Sequence, residues 1–220
     1  MRRPEPARCD DVFFDCDSTL CAIEGIDVLA DWQGLGPRVA ALTDAAMNGT
    51  LPLEAVYGER LALLRPGREA LARLGEAYIA HALPTARAVV AALTAAGHRV
   101  FIVSGGLLEA VRPFALWLGV PAARVRAVAL SFDAAGAYAG FDAASPLATQ
   151  TGKTRVIAAL RRPGRRAMLI GDGASDLAAV GAVDVFVGFG GVVHRPAVER
   201  SSSIYLRSNN LWPIVALAAG

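Results

Sequence analysis

The chain has 220 residues, of which 54% are apolar and 19% charged, and it carries a formal net charge of +2. That length supports one sizeable core plus an inserted module, the composition excludes a disordered chain, and so small a charge gives no reason to expect a nucleic-acid or membrane partner. No apolar run approaches the roughly 18 residues of a membrane span, and Met1-Arg-Arg-Pro-Glu-Pro-Ala-Arg-Cys-Asp10 lacks the apolar segment of a secretory signal, so a cytoplasmic location is expected.

Val12, Phe13 and Phe14 form a short apolar run, as in a parallel strand buried on both faces. The run stops at Asp15, and Asp17 and Thr19 follow at alternate positions. A core strand that delivers two carboxylates at its carboxyl end puts charge where open α/β sheets bind ligands. The D-x-D-x-T spacing suits a nucleophile with an acid/base partner, or a site for a hard cation. Cys16, between the aspartates, is expected to face the core. With Cys9 and Cys21 it makes neither a disulfide framework nor a zinc site. His81, His98 and His194 are scattered without metal-ligand spacing and read as structural.

From about Ile23 to Leu83 the apolar period is helical: Ile26, Leu29 and Ala30, then Val39, Ala40 and Leu42, then Leu61, Leu64, Leu71 and Leu74. Gly34-Leu-Gly-Pro37, Asn48-Gly49 and Pro66-Gly67 punctuate it. A single crossover helix is the ordinary connection at this point. The longer segment therefore reads as a helical cap, residues 21–83, inserted into a core made of residues 1–20 and 84–220.

Thr85–Ala96 is expected as a helix with Gly97 at its C′ position. Arg99–Val103 is the second core strand and runs into Ser104-Gly105-Gly106. A helix follows from about Leu107 to Leu118. Val125–Phe132 and Ala137–Phe141 are expected to pair as a hairpin around Ala134-Ala-Gly136. Gly152–Leu160 reads as helix and Ala167–Ile170 as a buried strand ending in Gly171-Asp172-Gly-Ala-Ser-Asp176. Ser175–Val180 is expected as helix, Val183–Val187 as a strand ending in Gly188-Phe-Gly-Gly191, Ile204–Leu206 as the last strand and Leu211–Ala219 as the last helix. The basic cluster Arg161–Arg166 flanks Pro163-Gly164 and reads as a solvated connection. Strands alternating with helices imply βαβ units, so the fold class is α/β with a doubly wound, mostly parallel sheet.

Parallel strands bring their carboxyl ends to one edge. Asp15, Asp17 and Thr19, then Ser104-Gly105-Gly106, then Asp172 and Asp176 share it, and Lys153 at a helix start reaches it. Among 22 Lys and Arg residues Lys153 is the only lysine. A compact ammonium is hard to replace where one phosphate oxygen needs a point charge. Carboxylates, hydroxyls, an ammonium and glycine-rich backbone together suit a phosphate ester with Mg²⁺. Gly188-Phe-Gly-Gly191 lacks the dinucleotide G-x-G-x-x-G spacing, and Gly152-Lys153-Thr154 lacks the earlier glycine of a P-loop.

Four short motifs, in this order and each at a strand end or helix start, resemble the haloacid dehalogenase superfamily of phosphatases over nearly the whole chain. They are Asp15-Cys-Asp-Ser-Thr19 for D-x-D-x-[TV], Ser104, Lys153, and Gly171-Asp172-Gly-Ala-Ser-Asp176 for G-D-x-x-x-D. Within that superfamily Glu24-Gly-Ile-Asp27, Met47, Glu59-Arg60-Leu61 and the loops at 171–176 and 188–191 resemble the phosphoserine phosphatases. Leu53, Ser175 and Val192 depart from their pattern. The resemblance implies Asp15 as nucleophile and Asp17 as acid, then base. It implies Thr19, Ser104, Gly105 and Lys153 on the phosphate, and Asp15, Asp17 and Asp172 on Mg²⁺, with Asp176 behind them orienting Lys153 or a metal-bound water. Glu24 would meet a substrate ammonium, Arg60 its carboxylate, and Met47 the substrate body. The expected partner is a small phosphomonoester, handled by a monomer or homodimer.

Overall fold

The computed structural model describes residues 8–48 and 50–220. Residues 1–7, part of the stretch read for a secretory signal, and Gly49 of the expected Asn48-Gly49 turn lie outside them.

The first strand, β1 (Asp11–Phe14), is buried at every position, as the apolar run Val12–Phe14 requires and the pairing of Asp11 with Arg99 permits. The others in the main sheet are β2 (Arg99–Leu107), β3 (Val125–Val128), β6 (Ala167–Gly171), β7 (Val185–Phe189) and β8 (Ile204–Leu206). Their order is β3-β2-β1-β6-β7-β8, and every pairing is parallel. Phe13 therefore sits between Phe101 and Leu169, and its ring stacks on Phe101 at 4.8 Å. A central strand so placed puts Phe14, Ile102 and Ile170 level with one another, so the residues just past them come to one edge.

Residues 25–80 form α1 (Gly25–Trp32), α2 (Gly36–Met47), α3 (Leu53–Leu64) and α4 (Arg68–Ala80), with no strand among the described residues of this segment. The two chain passages that enter and leave it lie side by side. Cys21 bridges Ala82, Ala22 N–H donates to the His81 carbonyl at 2.9 Å, and Leu83 N–H donates to the Leu20 carbonyl at 3.0 Å. The remaining helices are α5 (Ala86–Ala95), α6 (Leu108–Leu118), α7 (Gly152–Leu160), α8 (Ala174–Ala178), α9 (Pro196–Ser201) and α10 (Trp212–Ala219). Gly97 does follow the α5 cap with φ +82°.

Two expectations are corrected. The hairpin is shorter: β4 (Leu130–Phe132) pairs antiparallel with β5 (Tyr138–Phe141), while Val125–Val128 is the edge strand β3, parallel to β2. β2 does not end at Val103. It runs through Ser104-Gly105-Gly106, with a register shift between Val103 and Leu107. A bulge there lets the ladder continue while one stretch turns its polar atoms aside. The Arg161–Arg166 connection is partly exposed, and three of its four arginines are paired: Arg161 with Asp184 at 2.8 Å, Arg162 with Asp11 at 3.3 Å and Arg165 with Asp10 at 3.7 Å.

α7 starts at Gly152, where an added Cβ would run into the Pro146 carbonyl, a backbone atom that cannot swing away. Gly152→Ala is expected to shift the first turn of α7 and lower unfolding stability by about 1–3 kcal/mol in urea titrations. An unchanged midpoint would show that the turn has room to spare.

Candidate active site

The carboxyl ends of β1, β2 and β6 open on one cavity, lined by Asp15, Asp17, Ser104, Gly105 and Lys153 from the sheet side. From the helices Glu24, Thr43, Met47, Tyr57, Arg60 and Tyr78 reach the same space.

Asp15 Oδ1 accepts the Cys16 N–H at 2.7 Å, and its Oδ2 accepts from Lys153 Nζ at 2.7 Å. The same ammonium donates to Asp176 Oδ1 at 2.7 Å. Burial alone would lower the Lys153 pKa, but Asp15 and Asp176 outweigh it and hold the ammonium charged. After Asp17 the chain turns back through Ser18, a non-glycine residue at φ +51°. Its hydroxyl donates to Glu24 Oε1 at 2.7 Å. Asp17 Oδ1 accepts from both the Tyr78 hydroxyl and the Gly25 N–H, each at 2.7 Å.

Asp172 Oδ1 accepts from the Thr19 hydroxyl at 2.9 Å, and Oδ2 from Arg195 Nε at 3.3 Å. Thr19 is thus fully buried beside Asp172, and its hydroxyl is taken up by that carboxylate. A hydroxyl two residues past Asp17 can face either way, and here the nearer carboxylate takes it. Ser104 is buried at the cavity wall, where its Oγ accepts the Gly106 N–H at 2.9 Å. The Gly105 carbonyl accepts the Tyr57 hydroxyl at 2.8 Å.

Arg60 is buried, and Nη1 donates to the Thr43 hydroxyl oxygen at 3.1 Å. Its Nε has no partner, and no carboxylate lies within 4.0 Å of the guanidinium among the described residues. Met47 lines the cavity, as do Leu53 and Ser175. The structure therefore brings Asp15, Asp17, Glu24, Met47, Arg60, Ser104, Gly105 and Lys153 to one cavity, with Asp172 and Asp176 against its floor.

Sequence reasoning missed four side chains here: Arg195, Tyr57, Tyr78 and Thr43. Arg195 is the most consequential. It is buried, it pairs with Asp172, it lies 3.9 Å from Glu24 Oε1, and it donates to Asn48 Oδ1 at 3.4 Å. Its position four residues past Gly191, after a strand ending at the same edge, was the available signal.

Residues 12–180 match the haloacid dehalogenase-like hydrolase family. The chain belongs to that family. This hydrolase is 40% identical to the human (Homo sapiens) phosphoserine phosphatase, over 90% of its own length and 88% of the human protein. It is 36% identical to the phosphoserine phosphatase of Drosophila melanogaster, over 89% and 73% of the two chains. A solved substrate-bound phosphoserine phosphatase complex shares its fold, with a TM-score of 0.83 at 22% identity over 96% of this chain and 98% of the other.

In this hydrolase, ligand atoms of Asp15, Asp172 and Asp176 lie within 4.8 Å of one another, an all-oxygen set that a hard cation favours. Each carboxylate oxygen keeps a second lone pair beyond its hydrogen bond. Lys153 and Arg195 do not balance the charge of these three together with Asp17 and Glu24. The strain is visible in their acidity. Burial first, and Asp15 second, push Asp17 up to about 6 and Asp172 up to about 7. Burial lifts Asp176 to about 6, and burial with Asp17 and Asp172 raises Glu24 well above the usual range.

Groups with raised pKa values keep protons in the folded chain that the unfolded chain has lost, so they stabilise at low pH and cease to as pH climbs through the folded value. The melting temperature of the metal-free protein is expected to fall between about pH 4 and pH 7, from the usual carboxylate value of 3.8 to the raised value of Asp172. Millimolar Mg²⁺ is expected to recover most of that loss at neutral pH, because a bound cation offsets the same charge. A metal-free melting temperature that rises across the window, or one indifferent to Mg²⁺ at pH 7.5, would rule out the cluster as a cation site.

Proposed function

We propose that this hydrolase removes phosphate from phosphoserine, with Mg²⁺ and through an aspartyl-phosphate formed on Asp15. The observation that carries the reading is Lys153, which joins Asp15 to Asp176 at 2.7 Å each in the cavity that also holds Asp17, Ser104 and Arg60. The human and fly relatives point to the same substrate.

Asp15 is the nucleophile: its carboxylate is already aimed by the Cys16 N–H and Lys153. Asp17 gives its proton to the leaving serine oxygen and later takes one from the attacking water. Its Oδ1 is occupied by Tyr78 and Gly25, which leaves Oδ2 for this exchange. A value near 6 suits a group that must both give and take a proton near neutrality. Ser104, the Gly105 N–H and Lys153 hold the phosphoryl oxygens. Asp15, the Asp17 backbone carbonyl and Asp172 would hold Mg²⁺, which when bound offsets the repulsion between Asp15 and a phosphate dianion. Asp176 keeps Lys153 in place.

Residues 21–83 are the cap over a core of residues 1–20 and 84–220. The paired passages at Cys21 and Ala82 form its neck. The cap reads the serine moiety. Glu24 faces the ammonium. Arg60, a buried guanidinium without a carboxylate partner among the described residues, takes the substrate carboxylate.

In steady-state assays with Mg²⁺ against a panel of phosphomonoesters, L-phosphoserine is expected to give the highest kcat/KM. Asp15→Asn is expected to lower kcat by about 10³-fold or more, while Arg60→Ala chiefly raises KM. An Asp15→Asn variant that keeps its rate would remove the covalent route, and indifference to phosphoserine would remove the substrate.

A further inference from the structure

The Arg60 guanidinium has five N–H donors in a rigid plane. One goes to Thr43, and Nε is buried without an acceptor. The Tyr57 ring lies 5.7 Å from its central carbon. The edge formed by Nε and Nη2 is therefore without a hydrogen-bond acceptor among the described residues, and it is an edge that takes a carboxylate bidentately. The plane must be held at the correct tilt for that edge to be useful.

Three helices meet behind it. Thr43 of α2 is 2% exposed. Its oxygen accepts from Arg60 Nη1 on α3, and its hydroxyl donates to Asp27 Oδ1 on α1 at 2.7 Å. The Val39 carbonyl, one turn back at 3.2 Å, is a poorer competitor for the same proton. Asp27 has no Lys or Arg within 4.0 Å among the described residues, so its charge acts on Arg60 through the hydroxyl and across space. Asp27 also stands three residues past Glu24, on the same side of the α1 start.

We propose that Asp27 and Thr43 are positioning residues that aim the open edge of Arg60 at the substrate carboxylate, and so set selectivity for amino-acid phosphates over amine phosphates. The proposal rests on the phosphoserine reading. One turn of α1 then serves both polar groups of the serine moiety: Glu24 meets the ammonium and Asp27 steadies the receptor for the carboxylate. A threonine bonded only to its own helix would impose no such selectivity.

The test compares O-phospho-L-serine with O-phosphoethanolamine, which lacks only the carboxylate, on the full chain with Mg²⁺. Thr43→Val keeps the shape and removes the hydroxyl. It is expected to lower the ratio of kcat/KM for phosphoserine to that for phosphoethanolamine about tenfold, mostly through KM for phosphoserine. Thr43→Ser is expected to restore the ratio to within about twofold, and Asp27→Asn to lower it in the same direction as Thr43→Val. Equal losses on both compounds, or an unchanged ratio in Thr43→Val, would overturn the relay. If Thr43→Val does not fold, an unchanged ratio in Asp27→Asn overturns it instead. A wild-type protein that hydrolyses both compounds equally well would overturn the assignment of Arg60 itself, and that result is distinct from the failure of the relay alone.

Discussion

Lys153 puts one ammonium between two carboxylates in a place that water hardly reaches, 2.7 Å from Asp15 and 2.7 Å from Asp176. Without it, Asp15, Asp172 and Asp176 would share a buried space with only Arg195 against them. Carboxylates so close cannot all remain ionised unless a cation is near. The arrangement holds because the ammonium is paired twice and each carboxylate also takes a hydrogen bond from a group other than Lys153: Cys16 N–H to Asp15, Thr19 and Arg195 to Asp172, and Gly173 N–H to Asp176. Even so, Asp17, Asp172 and Asp176 keep pKa values well above the ordinary carboxylate range, which marks a site short of positive charge. A binding site for a divalent cation and a phosphate is expected to have this imbalance.

That concentration of charge depends on strand direction. β1 lies between β2 and β6, all three run the same way, and their registers match from the first residue pair. Asp15, Ser104 and Asp172 then leave the sheet at one edge although they are far apart in the chain. An antiparallel neighbour would have sent one of them to the opposite edge, where Asp11 is instead neutralised by Arg99 at 2.7 Å. The close approach also needs missing side chains. At Gly171 an added Cβ would collide with the Asp176 carboxyl group, so the turn from β6 into α8 folds tightly only with glycine there.

Much of this was readable from residue order. A buried apolar run that stops at D-x-D, a Ser-Gly-Gly after the next strand and a G-D-x-x-x-D after a third are local patterns, and each sits where topology later needs it. What could not be read was direction and partnership. Thr19 lies at the right place in its motif, yet its hydroxyl turns back to Asp172, and spacing says nothing of which way a side chain rotates. Val125–Val128 has the same apolar character as a hairpin arm, and only pairing with β2 makes it a sheet edge. Arg195 was hidden by its own abundance: in a chain rich in arginine, one more carries no local mark. Tyr57, Tyr78 and Thr43 lie on helices whose apolar faces predicted burial but not the single polar tip each presents to the cavity.

Those polar tips tie the helices of the inserted segment to the sheet edge at one site. The sheet edge supplies what any phosphate ester needs. The helices of residues 25–80 supply Arg60, and they also reach down into the sheet side: Tyr57 to the Gly105 carbonyl and Tyr78 to Asp17. Arg195 reaches the other way, from beside Asp172 to Asn48 at the end of α2. Any displacement of the helices away from the sheet breaks these hydrogen bonds together. It frees Asp17 from both donors that fix it, the Gly25 N–H and the Tyr78 hydroxyl, and loosens the loop whose N–H is assigned to the phosphate. Under the roles proposed for Arg60 and Asp17, recognition of the serine moiety and readiness of the acid are coupled through these shared contacts.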